Sequence, residues 1–450
     1  MDVPERQQVK PLVWDIAKDS HMALVGGPAS GATEALELAV QELAAHPAEC
    51  HFYLLDAAGS VPAAAGHART GALVGLHELR RAVRVLERLN QELVNRLSGP
   101  GCAGVPLVVV ISGWGSWVSA FRSGPLAWAE DLVQDLIRDG GRAGITVLLS
   151  GERELVTARF SGSLPNRIFF PTGSNEDTRI AWPKMPSTAA LKGRGVAFGS
   201  ISGGTAAVCQ VYEAGQESSG SNGIGPEGGA PCSTHPFRVE PLPALVSVAD
   251  LLIGPEDRDL PGTEADKVHM LIGVGGDELD IVSLRVPAGG VFAILGGAFS
   301  GKTNVLHALR LLNPSADRWV WPEDGMDPED FWKRTLARAK AGRLPKSAVL
   351  LADDADVLPA GALRDLAEVH AMGHTAVVTA NYSPLLLQRV PLVMEARASG
   401  TGMLLCPRST MEGDLFGVRF EVEPNAPAGR GVLIARGRSS SIQVAWAGRK

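Results

Sequence analysis

The chain has 450 residues, 45% hydrophobic and 20% charged, with a formal net charge of −7. That leaves room for two or three globular domains, and the acidic balance counts against a general nucleic-acid binder, which gains its non-specific affinity by neutralising phosphates. The five cysteines (Cys50, Cys102, Cys209, Cys232 and Cys406) form no C-x-x-C pair, which argues against a disulfide framework or a zinc site and suits a reducing compartment. The opening "MDVPERQQVKPLVWD" lacks the apolar stretch of a signal peptide, and no run reaches the ~18 apolar residues of a membrane span.

In chain order, "HMALV" reads as a buried strand leading into Gly26-Gly27-Pro28-Ala29-Ser30-Gly31-Ala32-Thr33. This stretch keeps the frame of a phosphate-binding loop, G-x-x-x-x-G-K-[ST], with Ala32 in place of the lysine. "HELRRAVRVLERLNQELVNRL" follows. Its Leu79, Val83, Leu86, Leu89, Leu93 and Leu97 recur every three or four residues, predicting one amphipathic helix whose stripe packs on the core. The apolar run Leu107–Ile111 predicts a strand covered on both faces. It ends in Ser112 and Gly113.

Residues 215–234 are rich in Gly and Ser without an apolar period and read as a flexible linker. Residues 1–214 and 235–450 are then two domains. They repeat each other in one order: "HMALVGGPASGATEALELAV" with "VFAILGGAFSGKTNVLHALR", "VPLVVVISGW" with "SAVLLADDAD", "GITVLLSGE" with "HTAVVTANY", and "KGRGVAFGS" with "AGRGVLIAR". Each half alternates apolar runs with helical patterns, so the expected fold is α/β: two tandem P-loop NTPase domains with mainly parallel sheets.

The second loop is complete: Gly296, Gly297, Ala298, Phe299, Ser300, Gly301, Lys302 and Thr303. An apolar strand (Val291–Leu295) precedes it. An amphipathic helix (Val305, Leu306, Leu309, Leu312) follows. Glycines turn backbone N–H groups toward phosphates, and the helix N-terminus adds positive potential. Lys302 is expected to reach the β- and γ-phosphates of ATP, and Thr303 to ligate Mg²⁺. Asp327 and Pro328 predict an N-cap and first residue of a later helix. "AVLLADDADVL" then ends a strand in Asp353, placed to hold Mg²⁺ through water, and Asp354, placed to deprotonate the attacking water. Thr379 and Asn381 end a neighbouring strand, either as γ-phosphate sensors or as an ordinary turn.

In the first loop, Gly26, Gly27, Ser30, Gly31 and Thr33 persist. Ala32, Ser112 and Gly113 together remove the lysine, the metal carboxylate and the base, so no turnover is expected there. Static nucleotide binding and an empty structural site both remain open. Arg194 and Arg430, in paired "GRG" turns, read as structural rather than as arginine fingers, and His21 reads as a packed histidine.

With these motifs placed, the chain resembles the FtsK/SpoIIIE class of motor ATPases, and more closely the C-terminal part of EccC-type ATPases of type VII secretion. The resemblance is carried by "DVPERQQVKPLVWDIAKDSHMALVGGPASGAT", "DLVQDLIRDGGRAGITVLLSGER", the paired "GRG" endings and "GDLFGVRF". It covers nearly all of the chain outside the linker. The family carries three tandem ATPase domains behind membrane helices, so the resemblance implies that this chain is the second and third, from a split subunit or a truncated one. It also implies ATP and Mg²⁺ as cofactors, with any hydrolysis confined to 235–450. The implied partners are WXG-type helical-hairpin proteins bearing a C-terminal signal, a membrane-anchored part of the ATPase, and further copies of the chain in a hexamer. The implied place is the cytoplasm, at the inner face of the membrane. A DNA translocase and a non-hydrolysing scaffold are the competing readings.

Overall fold

The computed structural model describes residues 1–3, 8–64, 66–99, 104–174, 176–212, 234–252, 267–315, 318–322, 325–383 and 385–448. They form two compact units, Met1–Glu240 and Pro241–Lys450. The expected linker, 215–234, lies outside the described residues except for Thr234.

In the first unit a short antiparallel pair, β1 (Asp2–Val3) and β2 (Gln8–Val9), precedes an eight-stranded sheet. Its strands are β3 (Met22–Gly26), β4 (His51–Asp56), β5 (Thr70–Val74), β6 (Leu107–Ser112), β7 (Ile145–Gly151), β8 (Asn166–Phe170), β9 (Arg194–Phe198) and β10 (Ala207–Gln210). The spatial order is β5-β4-β6-β7-β3-β8-β9-β10. The first six run parallel; β9 and β10 are antiparallel additions. Every residue of β3, β4 and β6 is buried, because side chains alternate between two covered faces. Ala23, Val25, Val109, Ile111 and Val147 face one core, and Met22, Leu24, Val108, Val110 and Leu148 the other. Helices α1 (Ala32–Ala45), α2 (Leu79–Ser98), α3 (Trp114–Arg122), α4 (Ala129–Asp139), α5 (Arg153–Val156) and α6 (Glu176–Arg179) cover these faces. The α2 stripe is buried at Val83, Leu86, Leu89 and Leu93. Leu97 is exposed, so the packed face stops a turn early.

The segment after the linker belongs to this first unit as far as Glu240. Phe237 stacks on Tyr53 with centroids 4.4 Å apart, and the Tyr53 hydroxyl donates to the Phe237 carbonyl at 3.0 Å. Arg81 Nε donates to the Val239 carbonyl at 2.7 Å, and Val239 is fully buried. The sequence places the second domain from residue 235; stacking on β4 and hydrogen bonds to β5 and α2 draw 235–240 to the first unit.

The second unit contains α7 (Val248–Leu252), β11 (Lys267–Gly275), β12 (Asp280–Pro287), β13 (Val291–Gly296), α8 (Lys302–Leu312), β14 (Trp319–Val320), α9 (Pro328–Lys340), β15 (Val349–Ala352), α10 (Ala360–Ala371), β16 (Thr375–Ala380), α11 (Leu386–Arg389), α12 (Pro391–Ser399), β17 (Thr401–Leu405), β18 (Arg430–Ala435) and β19 (Arg438–Val444). The order is β14-β15-β16-β13-β17-β18-β19-β11-β12. The first five are parallel and the rest antiparallel. The N-cap of α9 is Asp327, whose carboxylate accepts from Asp330 N at 3.0 Å, with Pro328 beginning the helix.

The sheets correspond strand for strand from β6-β7-β3-β8-β9-β10 to β15-β16-β13-β17-β18-β19. In each, the strand leading into the loop lies between two parallel neighbours. The β11–β12 hairpin extends only the second sheet. Register also settles one alignment. Leu24 pairs with Ser150, and Ile294 pairs with Thr379. Ser150 therefore corresponds to Thr379, and Glu152 to Asn381, one residue away from the match of "GITVLLSGE" with "HTAVVTANY". In a strand such a slip moves each side chain to the opposite face.

Candidate nucleotide site

Strand β13 delivers the second loop at its C-terminal end, and α8 carries the chain away. Two residues bend the loop through the left-handed region, Phe299 at φ 63° and Gly301 at φ 100°. Ser300 N donates to the Gly297 carbonyl at 3.4 Å, and Gly429 N reaches the Ser300 carbonyl at 2.9 Å, pinning the loop to the turn before β18. At Gly297 the mouth is open: a Cβ built there meets nothing within 4 Å. Phe299 is 98% exposed.

Lys302, the first residue of α8, is 7% exposed. Its Nζ donates to the Gly296 carbonyl at 3.1 Å, the Gly297 carbonyl at 3.2 Å and Asn381 Oδ1 at 3.0 Å, and it pairs with Asp354 Oδ1 at 3.3 Å. The charge is thus delivered under the loop. Thr303 Oγ1 donates to Asp353 Oδ2 at 2.6 Å. The hydroxyl and carboxylate thus converge as hard oxygen donors of the kind Mg²⁺ takes. The Ser300 hydroxyl is buried beneath the loop and has no hydrogen-bond partner among the described residues. A buried cation, a left-handed nest, an unused hydroxyl and paired oxygen donors fit a metal-bound triphosphate.

The acids sit where β15 ends. Thr379 Oγ1 donates to Asp353 Oδ1 at 2.6 Å and accepts from Asp354 N at 2.8 Å. Asp354 takes φ 41°, in the left-handed region. Thr379 is fully buried, so it holds the acids rather than facing a phosphate. Asn381 accepts from Lys302 and donates to Asp356, which sequence reasoning had not singled out.

The first loop repeats the backbone and loses the chemistry. Ala29 and Gly31 take φ 60° and 103°. Ser30 N donates to Gly27 O at 3.2 Å, and Gly193 N to Ser30 O at 2.9 Å. Gly113, at φ 70°, donates its N–H to Ser150 Oγ at 3.1 Å, as Asp354 does to Thr379. Ala32 is buried without a charge to present. Ser112 hydrogen-bonds Ser60 at 2.6 Å, and Ser60 donates to Asp56 at 2.8 Å. Burial pushes the Asp56 carboxyl up, but hydrogen bonds from Ser60, Val61 and Ser112 outweigh it and hold the group below the usual carboxylate range. At the mouth, a Cβ built on Gly27 comes within 3.4 Å of the Gly173 carbonyl oxygen and 3.7 Å of Glu152 Oε2. Two electron-rich oxygens stand where the second loop is open. Gly26, Gly31 and Thr33 keep their places in the loop, and these two oxygens border its mouth.

Arg430 is buried and bonds the Leu242 carbonyl at 3.1 Å and Glu423 at 3.1 Å. Arg194 pairs with Asp2 at 3.6 Å. Each "GRG" arginine ties down the segment leading into its own unit. His21 is 3% exposed and accepts from Val147 N at 2.9 Å; burial pushes its imidazole down to about 4.

No family model matches the chain. The type VII secretion system protein EssC of Staphylococcus aureus (strain MRSA252) is 25% identical over 215 residues, 43% of this chain. The match covers 14% of that protein's length. Among solved structures, EssC (ATPases 2 and 3) from Geobacillus thermodenitrificans superposes with TM-score 0.68 at 13% identity, covering 99% of this chain and 95% of that one. EccC (ATPases 2 and 3) of Thermomonospora curvata, in complex with a signal sequence peptide, gives 0.59 at 18%, covering 99% and 92%. The cytoplasmic domain of the Thermomonospora curvata type VII secretion ATPase EccC gives 0.58 at 18%, covering 95% of this chain and 57% of that one. The chain therefore resembles the EssC/EccC type VII secretion ATPases, with the fold of their paired ATPases 2 and 3 across 99% of its length and sequence similarity to EssC over 215 residues.

Proposed function

We propose that the chain is the C-terminal, substrate-engaging part of a type VII-like secretion ATPase, and that only its second unit binds and hydrolyses Mg²⁺-ATP. The observation that carries the reading is the convergence of Lys302, Thr303 and Asp353–Asp354 on one loop mouth, against an acidic mouth in the first unit. Lys302 and the loop N–H groups hold the β- and γ-phosphates, and Thr303 and Asp353 hold the metal. Asp354 accepts the proton of the attacking water. Bound Mg²⁺ supplies charge neutralisation across the phosphates. The first unit serves as a docking or regulatory body without turnover.

The Thermomonospora neighbour was solved with a signal sequence peptide. That likeness supports a signal-bearing substrate; from the family resemblance in the sequence we assign this chain WXG-type substrates recognised by an apolar helical face of their C-terminal signal, a membrane-anchored partner at the inner face of the membrane, and a hexameric assembly. Among the described residues no helix is long and apolar enough to cross a membrane.

Calorimetry on the full chain tests the nucleotide assignment. Lys302→Ala removes a buried charge-assisted contact, so ATP affinity falls about ten- to hundredfold. Asp354→Asn keeps binding and abolishes turnover. Unchanged affinity in the first variant, or unchanged turnover in the second, would move the site elsewhere. Fluorescence anisotropy of a labelled substrate tail and a labelled duplex, from about 50 to 200 mM salt, tests the partner. Tail binding should be nearly insensitive to salt, because apolar contacts are not screened. Salt-steep duplex binding without tail binding would replace the secretion reading with a DNA translocase.

A further inference from the structure

Asp356 lies two residues beyond the acidic pair, in the turn after β15. Its carboxylate accepts two bonds from one residue: Asn381 N donates to Oδ1 at 3.0 Å, and Asn381 Nδ2 donates to Oδ2 at 3.0 Å. This bidentate grip leaves the Asn381 amide one orientation. The amide nitrogen faces Asp356, so the amide oxygen faces away, and it lies 3.0 Å from Lys302 Nζ. A flipped amide would bring an N–H donor against an ammonium that can only donate, and would strand a carbonyl oxygen against a carboxylate.

The degenerate copy supplies an independent observation. Strand register places Glu152 at the position of Asn381, and counting from the equivalent Ser112 and Asp353 places Gly115 at the position of Asp356. Ala32 stands at Lys302. The loop glycines, the threonine, and the strand-end hydroxyl that accepts the next backbone N–H all persist in the first unit. Lysine, asparagine and this third aspartate are lost there together, along with Asp353 and Asp354, whose places Ser112 and Gly113 take.

We propose that Asp356 is a positioning residue for Lys302, acting through Asn381: it locks the amide so that its oxygen holds the ammonium at the loop mouth, ready for the phosphates. The inference rests on the ATP assignment of the second unit. Asn381 is then neither an idle turn residue nor a γ-phosphate donor; its free atom is an acceptor aimed at the lysine.

The test is a double-mutant cycle on the full chain, read by calorimetry with Mg²⁺-ATP. Asp356→Ala should weaken ATP binding about tenfold, the scale of one hydrogen bond to a charged group. The same substitution in a Lys302→Ala background should change affinity less than twofold, because the residue acts only through the lysine. Asn381→Ala should reproduce the Asp356→Ala loss and add nothing to it. Asp356→Asn keeps the shape but offers one acceptor oxygen to the two donors, whichever way its own amide turns. It should fall between wild type and alanine, and it carries the test if the alanine variant does not fold. An equal loss with and without Lys302, or no loss in the wild-type background, overturns the proposal. Failure of the ATP assignment is distinct: the unsubstituted chain would then bind no ATP at all.

Discussion

Putting the missing lysine back into the first loop should not create a nucleotide site, and Glu152 is the reason. In the second loop Lys302 Nζ lies 3.0 Å from the neutral Asn381 oxygen. In the first, the corresponding side chain is the Glu152 carboxylate, which adds negative charge beside an ammonium introduced by Ala32→Lys. Glu152 Oε2 also lies 3.7 Å from a Cβ built on Gly27, at the mouth itself. A phosphate seated there is about 4 Å from that charge, a repulsion of about 4 kcal/mol at an effective dielectric constant near 20. Glu152 is half-buried, and solvent screening roughly halves this, to about 2 kcal/mol or about thirtyfold in affinity. The assay is calorimetry with Mg²⁺-ATP in a Lys302→Ala background, which weakens the second site. Ala32→Lys with Glu152→Asn should bind about thirtyfold more tightly than Ala32→Lys alone. Neither should hydrolyse ATP, because Ser112 and Gly113 supply no carboxylate. Equal affinities would remove Glu152 from the account, and clear turnover by the single variant would refute the degeneracy of the first unit.

His21 has its pKa held at about 4 by burial, against 6.5 for the free side chain. Below 6.5 the unfolded chain takes up a proton that the folded first unit refuses, so stability is complete above that pH and lost as pH falls toward 4, by about 3 kcal/mol in all. His21→Gln should flatten the acid limb of the first unit's unfolding between pH 6.5 and 4; an unchanged acid limb would show that other groups set it. Val239→Ala should destabilise the docked segment by about 2 kcal/mol. Because Val239 N donates to Gly71 O, hydrogen exchange should then quicken in both Val239 and β5, whereas unchanged protection in β5 would mean that 235–240 does not belong to the first unit's core. Asp327→Ala removes the α9 N-cap and should cost about 1 kcal/mol, seen as earlier unfolding of 328–340 by the same exchange measurement; no change there would show that α9 does not depend on its cap.

The local features of this protein were legible in its sequence. Both loops, the strands feeding them, the α2 stripe and the Asp327–Pro328 helix start each depend on residues within one or two turns of one another. Backbone sterics, capping and side-chain period act over that range. The duplication was legible for the same reason, since each half repeats the same local patterns in the same order. What only the tertiary structure decided involves residues far apart in the chain. Strand register alone showed that Ser150 holds the position in its sheet that Thr379 holds in the other, and brought Glu152 to the mouth of the first loop; a one-residue phase has no marker within the string itself. The bond from Asp356 to Asn381 joins the ends of adjacent strands. Nothing in "DDADVL" shows which amide it grips. Likewise the stacking of Phe237 on Tyr53 carried 235–240 across the expected boundary, because a Gly/Ser-rich composition marks where a chain is free to bend but not which surface its far end will find.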